Sequence, residues 1–337
     1  MTIGRAELRS LFVLMLLSTT PACARSDPQM SLDDPRSPLR LVRKIELPNV
    51  KGRIDHMALE GSGHLFVAEY GNGNVDDIDL ASGKVVGRIT GLHEPQGVAS
   101  LPIHNEIAVA SGDGLVTFYR STERQPVAVV RLGDDADNVR VDSRNGNLVV
   151  GYGSGALAVM DPATHQVVRR VPLPAHPEAF ELLGAKVFVN VPEAHRIVVG
   201  DIDQGQTIGS LSTGLRFGNY PMASDLAGTQ IAVAYRAPGT LSVIDPRSGA
   251  VAYSAPICDD ADDLYFRGSS IIVVCGDGTV ELVEQTPWHR KLRAATQEGA
   301  RTGLLDAPRN RLFIAAPATR SGAAAIWELV FPRADHR

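Results

Sequence analysis

Seven turns of this sequence carry residue types that could do chemistry together. Asp55, Gln96, Asp137, Glu178, Pro221, Asp262 and Thr302 follow one another at intervals of about 41 residues, each just before an apolar stretch. Four of the seven are carboxylates. Carboxylates drawn into one place repel each other and lose solvation, so they bind a cation, hold a proton through a raised pKa, or pair with basic groups. Neighbouring positions add His56, His93, Glu94, Asn138, His176, Asn219, Asp263 and Arg301, and a second set of turns adds Glu69, Tyr70, Tyr152, Asn190, His195, Tyr235 and Arg236.

This mixture leaves several chemistries open. Oxygen ligands from Asp55, Asp137, Glu178 and Asp262 suit calcium or magnesium, and adding His56 and His176 would suit zinc. The acidic runs Asp134–Asn138 and Asp259–Asp263 lack the glycine and terminal glutamate of a helix-loop-helix calcium site, so they count only as contributors to a shared mouth. For an organic ligand the expected contacts are Asp55, His56, Tyr70, Asn138, Tyr152, His176, Glu178, Asn219, Arg236, Asp263 and Arg301. Arg236 and Arg301 offer planar forks for a carboxylate or phosphate, and the tyrosines offer amphipathic walls. If both arginines instead satisfy the acids, the mouth is a salt-bridge lattice. The alternative to binding is a metal-dependent enzyme of lactonase, lyase or hydrolase type, in which the same ring would use His56 or His176 as base and Arg236 or Arg301 to stabilise developing negative charge. The sequence holds no C-x-x-C-H, H-E-x-x-H, phosphate-binding P-loop or G-x-S-x-G motif, and Gly151-Tyr152-Gly153 lies between two strands, where a hairpin is expected rather than a dinucleotide fingerprint.

The elements that must position these residues are short strands. LFVAEY from Leu65, IAVASG from Ile107, LVVGYG from Leu148, VFVNVP from Val187, IAVAYR from Ile231, IIVVCG from Ile271 and LFIAAP from Leu312 mark seven units. Their β-branched and small residues suit strands buried on both faces, and the spacing of turns is too tight for helices. Hairpins such as Ile78-Asp79-Leu80-Ala81-Ser82-Gly83, Met160-Asp161-Pro162-Ala163-Thr164 and Ile244-Asp245-Pro246-Arg247-Ser248-Gly249 put Asp at the start of a turn, and the first and third close it with Gly. Their repetition makes those aspartates scaffold.

The fold class that follows is all-β, a seven-bladed β-propeller. The last unit has little room for a fourth strand of its own after Ala325-Ile326-Trp327-Glu328-Leu329, while Leu39–Leu47 is an unassigned strand before the first unit. The N-terminal strand is expected to close the ring, which removes the free sheet edge. Residues 39–332 form the propeller, 25–38 a flexible lead-in and 333–337 a tail. The Pro95-Gln96-Gly97-Val98-Ala99 opening and the I-D-x-x-S-G hairpins resemble the YVTN-repeat, YncE-like propellers. Asp134–Asn138, His176-Pro177-Glu178, Asn219-Tyr220-Pro221-Met222, Asp259–Asp263 and Ala300-Arg301-Thr302 resemble an exported branch of them. The resemblance implies fold and location; a shared fold does not specify an activity.

Residues 1–24 read as a signal peptide: Arg5 and Arg9 precede the apolar run Leu11–Leu17, and Ala22-Cys23-Ala24 is a small-residue cleavage site. Cleavage is expected after Ala24, giving a periplasmic or secreted protein. Lipidation of Cys23 is the alternative, against which stands Thr20 where a lipobox has an aliphatic residue. The apolar run is far short of the roughly 20 residues of a membrane-spanning helix. Removing residues 1–24 takes away two arginines and one glutamate, moving the formal net charge from −5 to −6. That balance, with no run of Lys and Arg, argues against nucleic acid as a partner. Cys258 and Cys275 remain in the exported chain; a disulfide between them or two buried thiols are both compatible with the sequence. A small-molecule partner and a monomer are expected. A protein-interaction scaffold ranks last, since aromatic residues are only 5% of the chain.

Overall fold

The computed structural model describes residues 30–332, so the signal peptide expected at 1–24, with Cys23 and Ala24, and the tail 333–337 lie outside the described residues. Seven four-stranded antiparallel sheets follow one another along the chain at 57–90, 95–131, 136–172, 180–212, 217–256, 261–295 and 302–330, forming blades 1 to 7 of a β-propeller. In blades 1 to 6 the strands pair in sequence order. Blade 7 contributes only three strands from its own unit, and Arg40–Leu47 pairs antiparallel with Ala324–Val330 as its outermost strand. The N-terminal strand therefore closes the ring.

The second strand of each blade shows why these residues form this fold. In blade 7, Leu312, Ile314 and Ala316 face the apolar layer shared with blade 6, while Phe313 and Ala315 face the layer shared with blade 1. Successive side chains of a strand point to opposite faces, so a strand clamped between two neighbours is apolar on both faces through its middle. Leu65–Ala68 and Ile271–Cys275 are fully buried for this reason. Among the described residues there are seven such layers, one for each junction between blades. The hairpin aspartates are scaffold: Asp79 accepts from the Ala81 and Ser82 N–H groups, and Asp161 and Asp245 accept from Ala163 and Arg247.

The lead-in differs from the expected flexible segment over its described part. Leu32 is buried in the same layer as Leu282 and Leu292, and the Met30 N–H donates to the Arg293 carbonyl of the outer strand of blade 6. Two leucines, Leu32 and Leu39, cover apolar surface that blades 6 and 7 would otherwise expose, which offsets the entropy of ordering the segment. Among the described residues no helix is long and apolar enough to cross a membrane.

Candidate functional site at the channel mouth

The first strands of the blades surround a central cavity of about 630 Å³. Backbone pairing fixes the residues that lead into them: the Asp55 N–H donates to the Ala68 carbonyl, and the Glu178 N–H to that of Asn190. In blades 2, 3, 5 and 6 the register shifts at the top of the first strand, between Pro95 and Val98, Ala136 and Val139, Asn219 and Met222, and Ala261 and Asp263. A regular strand sends adjacent side chains to opposite faces, whereas a bulge re-aims one of them. Both members of Asp137-Asn138 and Asp262-Asp263 consequently line the cavity. Gly97 permits the close approach of blades 2 and 3 there, since a Cβ would stand 2.0 Å from the Asp137 carbonyl oxygen.

Of the residues picked out by sequence, Asp55, His56, Asp137, Asn138, His176, Glu178, Arg236, Asp262, Asp263 and Arg301 line this cavity. Tyr70, Tyr152 and Asn219, also expected as ligand contacts, do not line it. Tyr70 lies under the Arg53 guanidinium, 5.2 Å from ring centre to Cζ, and Tyr152 accepts a hydrogen bond from Arg170 Nε. Asn219 is buried and spent on a staple between blades: its Nδ2 donates to Asn190 Oδ1 and to the Arg196 carbonyl, and Asn190 donates in turn to the Tyr220 and Pro221 carbonyls. Glu69 and Tyr235, also from the outer turns, are buried away from the cavity.

The arginines are consumed by acids. Arg236 bonds Asp262 and pairs with Asp260 at 3.2 Å, Arg301 reaches Asp260 at 3.0 Å, and Arg53 reaches Asp55 at 2.9 Å. Arg236 is further held over the Tyr220 ring at 4.1 Å. The lattice foreseen as one outcome for these arginines is present on this side of the mouth. Asp260 finds room because the residue opposite is Gly276, where a Cβ would stand 2.1 Å from its Oδ2.

The turn carrying Asp260, Asp262 and Asp263 is tied down by a disulfide between Cys258, which precedes it, and Cys275, at the end of the next strand. Closing a loop with a separation of 17 residues restricts the unfolded chain by about 3 kcal/mol. Replacing both cysteines by serine is expected to remove stability of that order and to loosen the Asp260 lattice; melting with and without reductant checks it, and a melting temperature indifferent to reductant counts against it.

The other side of the mouth is different. Asp137 is only 8% exposed, and its Oδ1 has no hydrogen-bond partner. His56 Nε2 stands 3.6 Å from that oxygen and 3.9 Å from Asp55. Burial pushes the Asp137 carboxyl well above the usual range, with Asp55 and Glu178 adding to the push. Burial likewise holds the His56 imidazole below its ordinary value, against Asp55 and with Arg140 and Arg53. The Glu178 carboxyl has no hydrogen-bond or ion-pair partner among the described residues, and burial raises it to about 7 against the pull of His176. His176 donates from Nδ1 to the Gly153 carbonyl at 2.7 Å, leaving Nε2 as its remaining ring nitrogen.

Sequence reasoning missed Arg53, Asp135, Tyr220, Asp260 and a deeper tier of the channel. Arg140, Glu181, Ser224 and Tyr265 each follow an outer-tier residue by three positions, at Asp137, Glu178, Pro221 and Asp262. Glu181 accepts from Ser224 Oγ at 2.7 Å and lies 3.9 Å from Arg140, while Tyr265 donates to the Gly303 carbonyl at 2.8 Å. Asp263 accepts from the Gly303 N–H at 2.7 Å, and burial still raises its carboxyl well above the usual range. The repeat register was the signal that could have revealed this tier. Among the described residues no three of His, Cys, Asp or Glu are grouped so as to hold one metal ion.

No protein-family model and no curated protein matches the chain. Among solved structures, a chain of Kuenenia stuttgartiensis hydrazine synthase is similar, with a TM-score of 0.71 and 14% identity over 79% of this chain and 93% of that one. At that identity the likeness shows the fold alone: the chain is a seven-bladed β-propeller.

Proposed function

We propose that this protein is an exported propeller, of the YVTN-repeat type its motifs resemble, that binds a small polar molecule at the channel mouth. The observation that carries the reading is Asp137, a buried carboxyl facing a 630 Å³ cavity with an oxygen that no protein donor satisfies. An orphaned buried acceptor costs about 1–3 kcal/mol, a cost a bound donor removes. The carboxylates Asp55, Asp137, Glu178 and Asp262 are spread round the ring, so a calcium, magnesium or zinc ion would reach several of them through its water shell more readily than by direct ligation. Export rests on residues 1–24 alone.

The test is a thermal-shift screen of polar metabolite-sized compounds and divalent metals on the mature chain, repeated with Asp137→Asn. A ligand that raises the melting temperature of the parent and binds the variant at least tenfold more weakly supports the reading; ligands that stabilise both equally place the site elsewhere and refute it.

A second reading, acid–base catalysis on an ester or lactone in the same mouth, is favoured by the His56 imidazole standing 3.6 Å from Asp137, with burial raising the carboxyl and lowering the imidazole. It requires turnover that His56→Ala loses without losing the fold.

A further inference from the structure

We propose that the occupant of the mouth carries a cationic nitrogen, an ammonium or guanidinium group, seated between Asp137 and Glu178; this rests on the reading of the mouth as a ligand site. The two residues lead into adjacent blades, 3 and 4, and line one cavity. Each cavity-lining arginine is already committed: Arg53 to Asp55, Arg236 and Arg301 to Asp260 and Asp262, and Arg140 to Glu181. Asp137 and Glu178 have no basic side chain of that kind, and Asp137 Oδ1 is buried and lacks a donor. A carboxylate or phosphate ligand would meet two acids with no arginine ion pair here, and on the far side guanidinium groups already paired with acids. An ammonium or guanidinium group supplies both missing things, positive charge and several N–H donors in one small volume.

The geometry also favours an organic cation over a bare metal ion, since no three ligating side chains are grouped among the described residues. A nitrogen cation needs only a pair of carboxylates, and Asp137 and Glu178 line one cavity from neighbouring blades. His56 completes the seat as a neutral neighbour that adds no repulsive charge.

Calorimetric titration of the mature protein tests this with matched probes: 1,4-diaminobutane as the cation, succinate as an anion of the same carbon count, and calcium and zinc chloride. The expected result is that 1,4-diaminobutane binds and succinate does not, with affinity falling at least tenfold in Asp137→Asn and, separately, in Glu178→Gln. Circular dichroism confirms that each variant is folded. Binding of succinate that depends on Asp137 or Glu178 overturns the charge assignment while leaving the mouth a ligand site. Binding of calcium or zinc alone, lost in either variant, overturns it in favour of a metal. If no probe binds, the cation assignment falls; the ligand-site reading falls separately, when neither variant alters stabilisation by any compound of the wider screen.

Discussion

A chain beginning at Pro48 is expected to lose cooperative folding, because it lacks the strand that closes the ring. Arg40–Leu47 supplies the outermost strand of blade 7, and Ile45 and Leu47 are buried in the layer between blades 7 and 1, with Leu39 buried in the layer between blades 6 and 7. Burying an aliphatic side chain contributes roughly 1.5–3 kcal/mol, so these three alone contribute about 5–9 kcal/mol. That is comparable to the whole stability of a typical domain, about 5–15 kcal/mol. The truncation also exposes the Ala324–Val330 strand as an unpaired apolar edge, a template for association. The mature and truncated chains can be compared by thermal melting and gel filtration. Aggregation or a non-cooperative melt is expected, and a monomer melting within a few degrees of the parent would show that closure contributes little.

Stability is also expected to decline as pH rises from 5 to 8.5, the opposite of a protein held together by exposed ion pairs. Glu69 is fully buried beside Asp76, and both share one cation, Arg88, which is bidentate on Asp76 at 2.5 and 2.8 Å. Burial and then Asp76 raise Glu69 to about 8, against Arg88 and Asn74. A carboxyl whose folded pKa lies above its unfolded value binds its proton more tightly when folded. Its contribution is complete below the unfolded pKa near 4.5 and is lost as pH climbs through about 8, at up to about 1.4 kcal/mol per pH unit. Glu178, raised to about 7, and Asp137 and Asp263, both raised by burial, act in the same direction. On the acid side, Asp79, Asp161 and Asp245 are held low by the N–H and O–H donors of their turns, so their contribution is present above the unfolded pKa and fades as pH falls. The profile should be a dome with its maximum on the acid side of neutrality. Glu69→Gln, which mimics the protonated form, is expected to raise the melting temperature at pH 8 by at least about 2 °C and to change it little at pH 5. A parent profile flat between pH 5 and 8.5, or a variant destabilised at pH 8, would contradict this account.

The architecture was legible because a propeller is written in local patterns. Each second strand, from Leu65 to Leu312, is apolar through its central positions because two blades clamp it, and each hairpin aspartate repeats because each blade needs the same turn. Even the closure was legible, as a strand without a unit at one end and a unit short of a strand at the other. The convergence of Asp55, Asp137, Glu178 and Asp262 followed from the same register, since equivalent positions of a closed ring face one axis.

What only the tertiary structure decided was pairing across blades. Whether Arg236 and Arg301 face a ligand or an acid depends on distances between turns some 25 to 40 residues apart, and the structure gives them to Asp260 and Asp262. Bulges that bring Asp262 and Asp263 into one cavity, and a glycine at 276 that admits Asp260, leave no periodic trace. Tyr70, Tyr152 and Asn219 occupied plausible turns yet serve as buttress, surface partner and staple. A repeat sets which positions share an axis, because hydrophobic period and turn chemistry act within a few residues. Charge pairing acts through space, so the division of the mouth into a neutralised arginine side and an unsatisfied acid side emerged only once the ring was closed.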